Sequence, residues 1–207
     1  MLEQFKSILE KEASAISNIP ITDSYNQAVS LILKRVHKDG GKLICSGMGK
    51  AGQIAVNIAT TFSSTGTPAV YLHPSEAQHG DLGILQKNDI MLLISNSGKT
   101  REIVELINLA KNLYDDIPII CITRNAYSGL GESSDVTLLT GETEEICPLG
   151  LTPTVSTTVM SVIGDCIVYG VMKAIGFTNA EYAKRHHSGY LGYKSRRGTG
   201  VDNHLWE

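Results

Sequence analysis

Cysteine is scarce in this chain: Cys45, Cys121, Cys147 and Cys166 in 207 residues, widely spaced and with no CxxC pair. That leaves no disulfide framework to read, and Cys45 and Cys121, set in apolar strand-like runs, are expected as buried reduced thiols. Charge of one sign is lacking as well. Lys and Arg number 18 against 21 Asp and Glu, for a net charge of −3. No basic excess or stripe marks a nucleic-acid binder. A long uninterrupted apolar run is also missing. The longest stretch, Val159–Ile175, carries Gly164, Asp165, Gly170 and Lys173, is short for a membrane span and reads as a buried helix. The charged, helix-patterned Met1–Glu12 is not a signal peptide. Repeats and low-complexity linkers are absent. The expectation is a cytoplasmic chain with neither nucleic-acid nor membrane partners, organised as one domain over 1–193 and a polar, mobile tail over 194–207.

Glycine is what the chain has in excess, at 20 residues, and without low-complexity sequence these glycines must be positional. Around them, short apolar runs alternate with helical patterns. Helices are expected at Leu2–Ser17, Asp23–His37 with Asp23 as N-cap, Lys50–Ser63, Thr100–Tyr114, Thr154–Ile175 and Asn179–His186. Strands are expected at Lys42–Ser46, Ala69–Leu72, Asp89–Ser95, Ile117–Ile122 and Val136–Leu139. Strands apolar on both faces and separated by helices predict an α/β three-layer sandwich. Its centre is a five-stranded parallel, flavodoxin-like sheet with helices on both faces. Ligands of such sheets bind beyond the strand carboxyl ends.

Two turns fall there. Ser46-Gly47-Met48-Gly49-Lys50-Ala51-Gly52 runs from strand to helix. Its glycines allow close backbone approach, and Lys50 adds a positive charge at a helix start. Gly47, Gly49 and Gly52 fit GxGxxG, but the acid that fingerprint wants at the end of the next strand is missing, and a plain tight turn remains an alternative. The second turn, Ser95-Asn96-Ser97-Gly98-Lys99-Thr100, gathers three hydroxyls and an amide before a helix, a cradle suited to a phosphate monoester. A capped helix needs only one hydroxyl, so phosphate binding is the stronger reading. Ser156-Thr157-Thr158 opens the long helix and could complete the same site. His73, Glu76, His79 and Asp81 form a further cluster. It fits no HExxH pattern; His73 and His79 are weak metal candidates, and lining a sugar pocket is the stronger reading for the cluster.

Four motifs in order, SGMGKAG, STGTPAVYLHPSEAQHGDLG, ISNSGKTREI and EEICPLGLTPTVSTT, resemble the sugar isomerase (SIS) domain of arabinose 5-phosphate isomerases, over roughly residues 5–193. The resemblance implies interconversion of D-ribulose 5-phosphate and D-arabinose 5-phosphate through a cis-enediol, in Kdo and lipopolysaccharide biosynthesis, with no cofactor. It implies a homotetramer whose active sites are shared between subunits. Carried onto this chain, it assigns phosphate and substrate contacts to Gly47, Gly49, Ser95, Asn96, Ser97, Thr100, Ser156, Thr157 and His79. It assigns the catalytic set to Lys50, Glu102, Glu145 and His186, leaving open which of Glu102, Glu145 and His186 takes the carbon-bound proton. Isomerisation needs that base, an acid–base partner for the oxygens, and a cation such as Lys50 for the developing oxyanion.

The sequence departs from the family at Lys99, which replaces a glutamate, and at His186-His187-Ser188-Gly189-Tyr190, which replaces HPGGA. His186 and His187 are both candidates for the catalytic histidine; alignment through Leu191-Gly192 favours His186. Gly66, Gly80, Gly83, Gly150, Gly189 and Gly192 fall in loops that match the family's pocket. Many relatives continue into a tandem CBS pair, so a lone catalytic module is expected. Feedback by a pathway product, CMP-Kdo, would then have to act on this module itself. Two further readings stand beside the isomerase: a non-catalytic sugar-phosphate sensor, and an SIS isomerase for another sugar phosphate.

Overall fold

In the computed structural model, residues 1–196 are described. The chain opens with α1 (Leu2–Ser17) and α2 (Ser24–Ile32), which continues as a π-helical turn over Leu33–Lys38. The Asp39 N–H bonding Lys34 O at 2.9 Å closes that wider turn. Then come β1 (Leu43–Gly47), α3 (Gly49–Ser64), β2 (Ala69–Tyr71), α4 (Pro74–Ala77), a 3₁₀ turn at Asp81–Ile84, β3 (Ile90–Ile94) and α5 (Arg101–Leu113). β4 (Ile119–Thr123), α6 (Gly129–Glu132), β5 (Val136–Leu139), α7 (Val155–Ala174), α8 (Asn179–Ala183) and α9 (Gly189–Arg196) complete the order.

The five strands are all parallel, in the order β2-β1-β3-β4-β5. β1, β3 and β4 are buried at every position. That fits LICSG, IMLLI and IICIT, which do not alternate because both faces are covered. Odd and even residues simply feed two cores. Leu43, Cys45, Ile90, Leu92, Ile120 and Ile122 pack with Phe62 of α3 and Ile163 of α7. Ile44, Met91, Leu93, Ile119 and Cys121 pack with Ile103, Leu106 and Ile107 of α5. Cys45 and Cys121 are buried and unpaired, as expected, and burial pushes both thiols up.

Two expectations are corrected. Asp23 precedes α2, but its carboxylate accepts from the side-chain amides of Asn26 and Gln27, each at 3.1 Å, and not from a helix N–H. Its own helical backbone points the side chain along the helix flank. The α7 sequence is long and apolar enough, by length and composition, to cross a membrane. Its core assignment rests on packing: Val155, Val159, Ile163, Ile167 and Val171 form a buried stripe, while Asp165, Tyr169 and Lys173 face outward. The helix α9 runs across positions 193 and 194, and residues 197–207 of the expected tail lie outside the described residues.

Candidate active site

At the carboxyl edge of the sheet a cleft of about 700 Å³ opens between the β1–α3 turn, the β3–α5 turn and the start of α7. Lys50, Ser95, Asn96, Ser97, Thr100, Glu145, Ser156 and Thr157 all line it, so most of the expected site residues converge from four separate stretches of chain.

The β3–α5 turn is built around Gly98. Its φ is +65°, and a methyl group there would overlap the Ser128 side chain. The Gly98 N–H bonds Ser95 Oγ at 3.1 Å, Ser95 Oγ and Thr100 Oγ1 lie 2.7 Å apart, and the Lys99 N–H reaches Ser97 Oγ at 3.2 Å. Thr100 occupies the N-cap position of α5 without a side-chain capping bond, so the amino end of α5 keeps its donors for an anion. In the β1–α3 turn, Gly49 takes φ +57°. Gly47 and Gly52 approach so closely that a methyl on Gly52 would lie 2.6 Å from Gly47 O. Gly47 and Gly49 thus shape the turn that presents exposed Lys50, and neither lines the cleft.

Glu145 comes from the segment between β5 and α7. Its Oε2 accepts from the Thr154 N–H at 2.7 Å, the Thr154 hydroxyl at 2.9 Å and the Ser156 N–H at 3.4 Å. Burial pushes the carboxyl up, but the bonds from Ser156 and Thr154 outweigh it and hold it below its ordinary value. Glu145 is therefore a fixed carboxylate capping α7. Two polar atoms of the lining, Asn96 Oδ1 and Thr143 Oγ1, are buried without a hydrogen-bond partner. Such orphans are rare in folded proteins and fit a cleft that receives a polar ligand.

Other expected residues lie apart from this cleft. Glu102 stands in the first turn of α5, half-buried and not in the lining. His79 is exposed beyond α4, and His73 lines a smaller hollow of about 320 Å³ with Asp81. Among the described residues no group of three or more His, Cys, Asp or Glu side chains is set to hold a metal. His186 is farther still. The 20 residues of α7 span about 30 Å, starting at the cleft and ending at the opposite edge of the sheet. There Phe177 and Arg185 pack against Gly66, in the loop that leads into β2 at its amino end. His186 stacks on Tyr182 with ring centroids 3.6 Å apart. Its Nδ1 lies 3.0 Å from Tyr182 O, an atom that only accepts, so Nδ1 is the donor of that bond and Nε2 lies outside it. His187 is exposed.

A model of the SIS domain matches residues 37–168. The chain belongs to the SIS domain family. Among SIS relatives, the arabinose 5-phosphate isomerase KdsD of Yersinia pestis is 42% identical over 190 residues, 91% of this chain and 56% of that protein. The chain thus spans about half the length of the curated relatives it matches. Two solved structures are also similar. One, described as a candidate phosphosugar isomerase involved in capsule formation from Bacteroides fragilis, is 63% identical with a TM-score of 0.90, covering 92% of this chain and 99% of that one. The other, Escherichia coli CFT073 c3406 in complex with arabinose 5-phosphate, is 34% identical with a TM-score of 0.81, covering 89% and 96%. Within this SIS chain, sequence reasoning missed Arg124 and Thr143, which also line the cleft. Neither sits in a glycine-rich turn. The signal available was position: Arg124 directly follows the buried run that becomes β4.

Proposed function

We propose that the chain is an aldose–ketose isomerase that interconverts D-arabinose 5-phosphate and D-ribulose 5-phosphate. The observation that carries this reading is the convergence of the Ser95–Thr100 cradle, Lys50 and Glu145 on one polar cleft, with two orphaned polar atoms in its wall. The named relatives and the arabinose 5-phosphate complex of a 34% identical protein support the substrate.

In this reading the cradle and the amino end of α5 hold the phosphate and leave C1 and C2 toward Lys50 and Glu145. A cis-enediolate forms when a base takes the C2 proton of the aldose, and it becomes the ketose when a proton moves from O2 to O1 and the base returns its proton to C1. Lys50 stabilises the oxyanion on the carbonyl oxygen. Glu145, held ionised by Thr154 and Ser156, and Glu102 are the carboxylate candidates for the base. His186, whose Nε2 lies outside the bond to Tyr182, suits proton transfer between the oxygens. Since α7 carries His186 to the far edge of its own sheet, the histidine would reach a cleft only from a neighbouring copy. A site shared between subunits follows from that reading, and the homotetramer is the assembly that the family resemblance implies. Exposed Leu2, Phe5 and Leu9 on α1 and Tyr190 and Leu191 on α9 supply apolar surface for such contacts. The cytoplasm is the compartment that suits this chemistry. CMP-Kdo, which carries a phosphate and a sugar acid, is the feedback ligand we propose for the same cleft, and calorimetry would test it.

The experiment is interconversion of the two pentose phosphates, run beside C6 ketose phosphates. Native protein should turn over the pentose pair, and Glu145→Gln should lower kcat by about a hundredfold or more while keeping ligand binding. A native chain that binds the sugar phosphates without turnover would instead make it a sensor.

A further inference from the structure

The sheet order sets the β3–α5 cradle between two neighbours, β1 on one side and β4 on the other. Each neighbour delivers a cation at its carboxyl end. Lys50 follows β1, and Arg124 is the first residue after β4. Both line the cleft with Ser95, Asn96, Ser97 and Thr100. The Arg124 backbone is tied to the cradle: its N–H donates to Asn96 O at 3.0 Å, and Thr123 Oγ1 donates to the same carbonyl at 3.3 Å. Its guanidinium is exposed and, among the described residues, forms no ion pair. A planar fork of donors anchored at its root, with no carboxylate partner, is the form in which arginine binds phosphate oxygens bidentately.

We propose that Arg124 is the second cationic ligand of the phosphate group, closing over the cradle from the β4 side. This deepens the reading of the cleft as a sugar-phosphate site and rests on it. The division of labour follows from geometry. The hydroxyls and helix donors of the cradle take the buried side of the phosphate, and Arg124 takes its outer oxygens. Lys50, on the opposite flank, stays available for the oxyanion at the other end of the substrate. Lys99 is also cationic and lies in the same turn, but it does not line the cleft, so charge alone predicts for Lys99 what position predicts for Arg124.

The test pairs calorimetric titration of inorganic phosphate with steady-state kinetics on the pentose phosphates, for the native protein, Arg124→Gln, Arg124→Lys and Lys99→Ala. Arg124→Gln should weaken phosphate binding by about ten- to a hundredfold and raise KM by a similar factor, with a much smaller fall in kcat. Arg124→Lys should recover part of the loss, since a lysine restores the charge and not the fork. Lys99→Ala should stay within about twofold of native. Unchanged phosphate affinity in Arg124→Gln, or an equal loss in Lys99→Ala, overturns the assignment. Loss of phosphate binding in Arg124→Gln when the native chain turns over no pentose phosphate would uphold Arg124 and sink the isomerase reading instead.

Discussion

The two ends of α7 are built by different physics. At its amino end, a carboxylate, hydroxyls and free amides meet around the cleft, and Glu145 accepts three hydrogen bonds from Thr154 and Ser156. At its carboxyl end aromatic contacts stand beside ion pairs: Phe177 against Gly66, the Arg185 guanidinium over the Phe177 ring, Tyr182 stacked on His186, and Glu181 paired with Lys184 and Arg185. One end is polar, positioned and incompletely satisfied, as binding sites are. The other pairs its polar groups among themselves, and it carries an imidazole whose Nε2 lies outside the bond to Tyr182. In the proposed reaction, the α7 helix would separate the Lys50 and Glu145 side chains from His186, and a second copy would reunite them.

The sharpest way to break the polar end is Gly98→Ala. A side chain at positive φ that also meets Ser128 should cost about 2 kcal/mol in urea unfolding, and inorganic phosphate binding should be lost with it. The His186 ring resonances, at the other end, should not move. Glu145→Gln comes next. The cap should be worth about 1 kcal/mol, the low end for a charged hydrogen-bonded group because Glu145 is only half-buried. The sign follows from its depressed pKa: the stabilisation is complete above the ordinary value of 4.5 and is lost as pH falls through the lower folded value. Melts of the two proteins should therefore differ at neutral pH and converge in acid. The smallest effect concerns Cys147, in the loop beside Glu145. The Thr152 N–H and hydroxyl, with the N–H groups of Leu151 and Leu149, lower this thiol to about 7. Iodoacetamide should modify Cys147 with a half-maximal rate near that pH, while buried Cys45 and Cys121 stay unmodified.

Much of this was legible in the sequence, and the reason is local. Strands buried on both faces read as IMLLI and IICIT because no alternation competes with the apolar run, while the edge strand Val136–Leu139 alternates between buried and half-buried positions. The cradle was legible because three hydroxyls around one glycine exceed what a helix cap requires. What escaped depends on distance along the chain. Gly66 reads like a pocket glycine, but it accommodates Phe177 at the opposite edge. Gly189 and Gly192 fall in α9. Arg124 carries no motif at all, and only the strand order beside β3 gives it a neighbour. Asp23 looked like a cap because sequence does not reveal its helical backbone angles.

The shared site is tested most directly by mixing two inactive proteins. Lys50→Met removes a cleft residue, His186→Asn removes the distal imidazole, and each should be nearly inactive alone. Co-expressed at equal levels and purified without selecting for mixed species, they should regain about a quarter of native activity per chain, because half the pairs mix and one of the two sites in each mixed pair is intact. Activity no higher than that of the separate variants would contradict a site completed by a second copy, and so would a His186→Asn protein that retains native turnover.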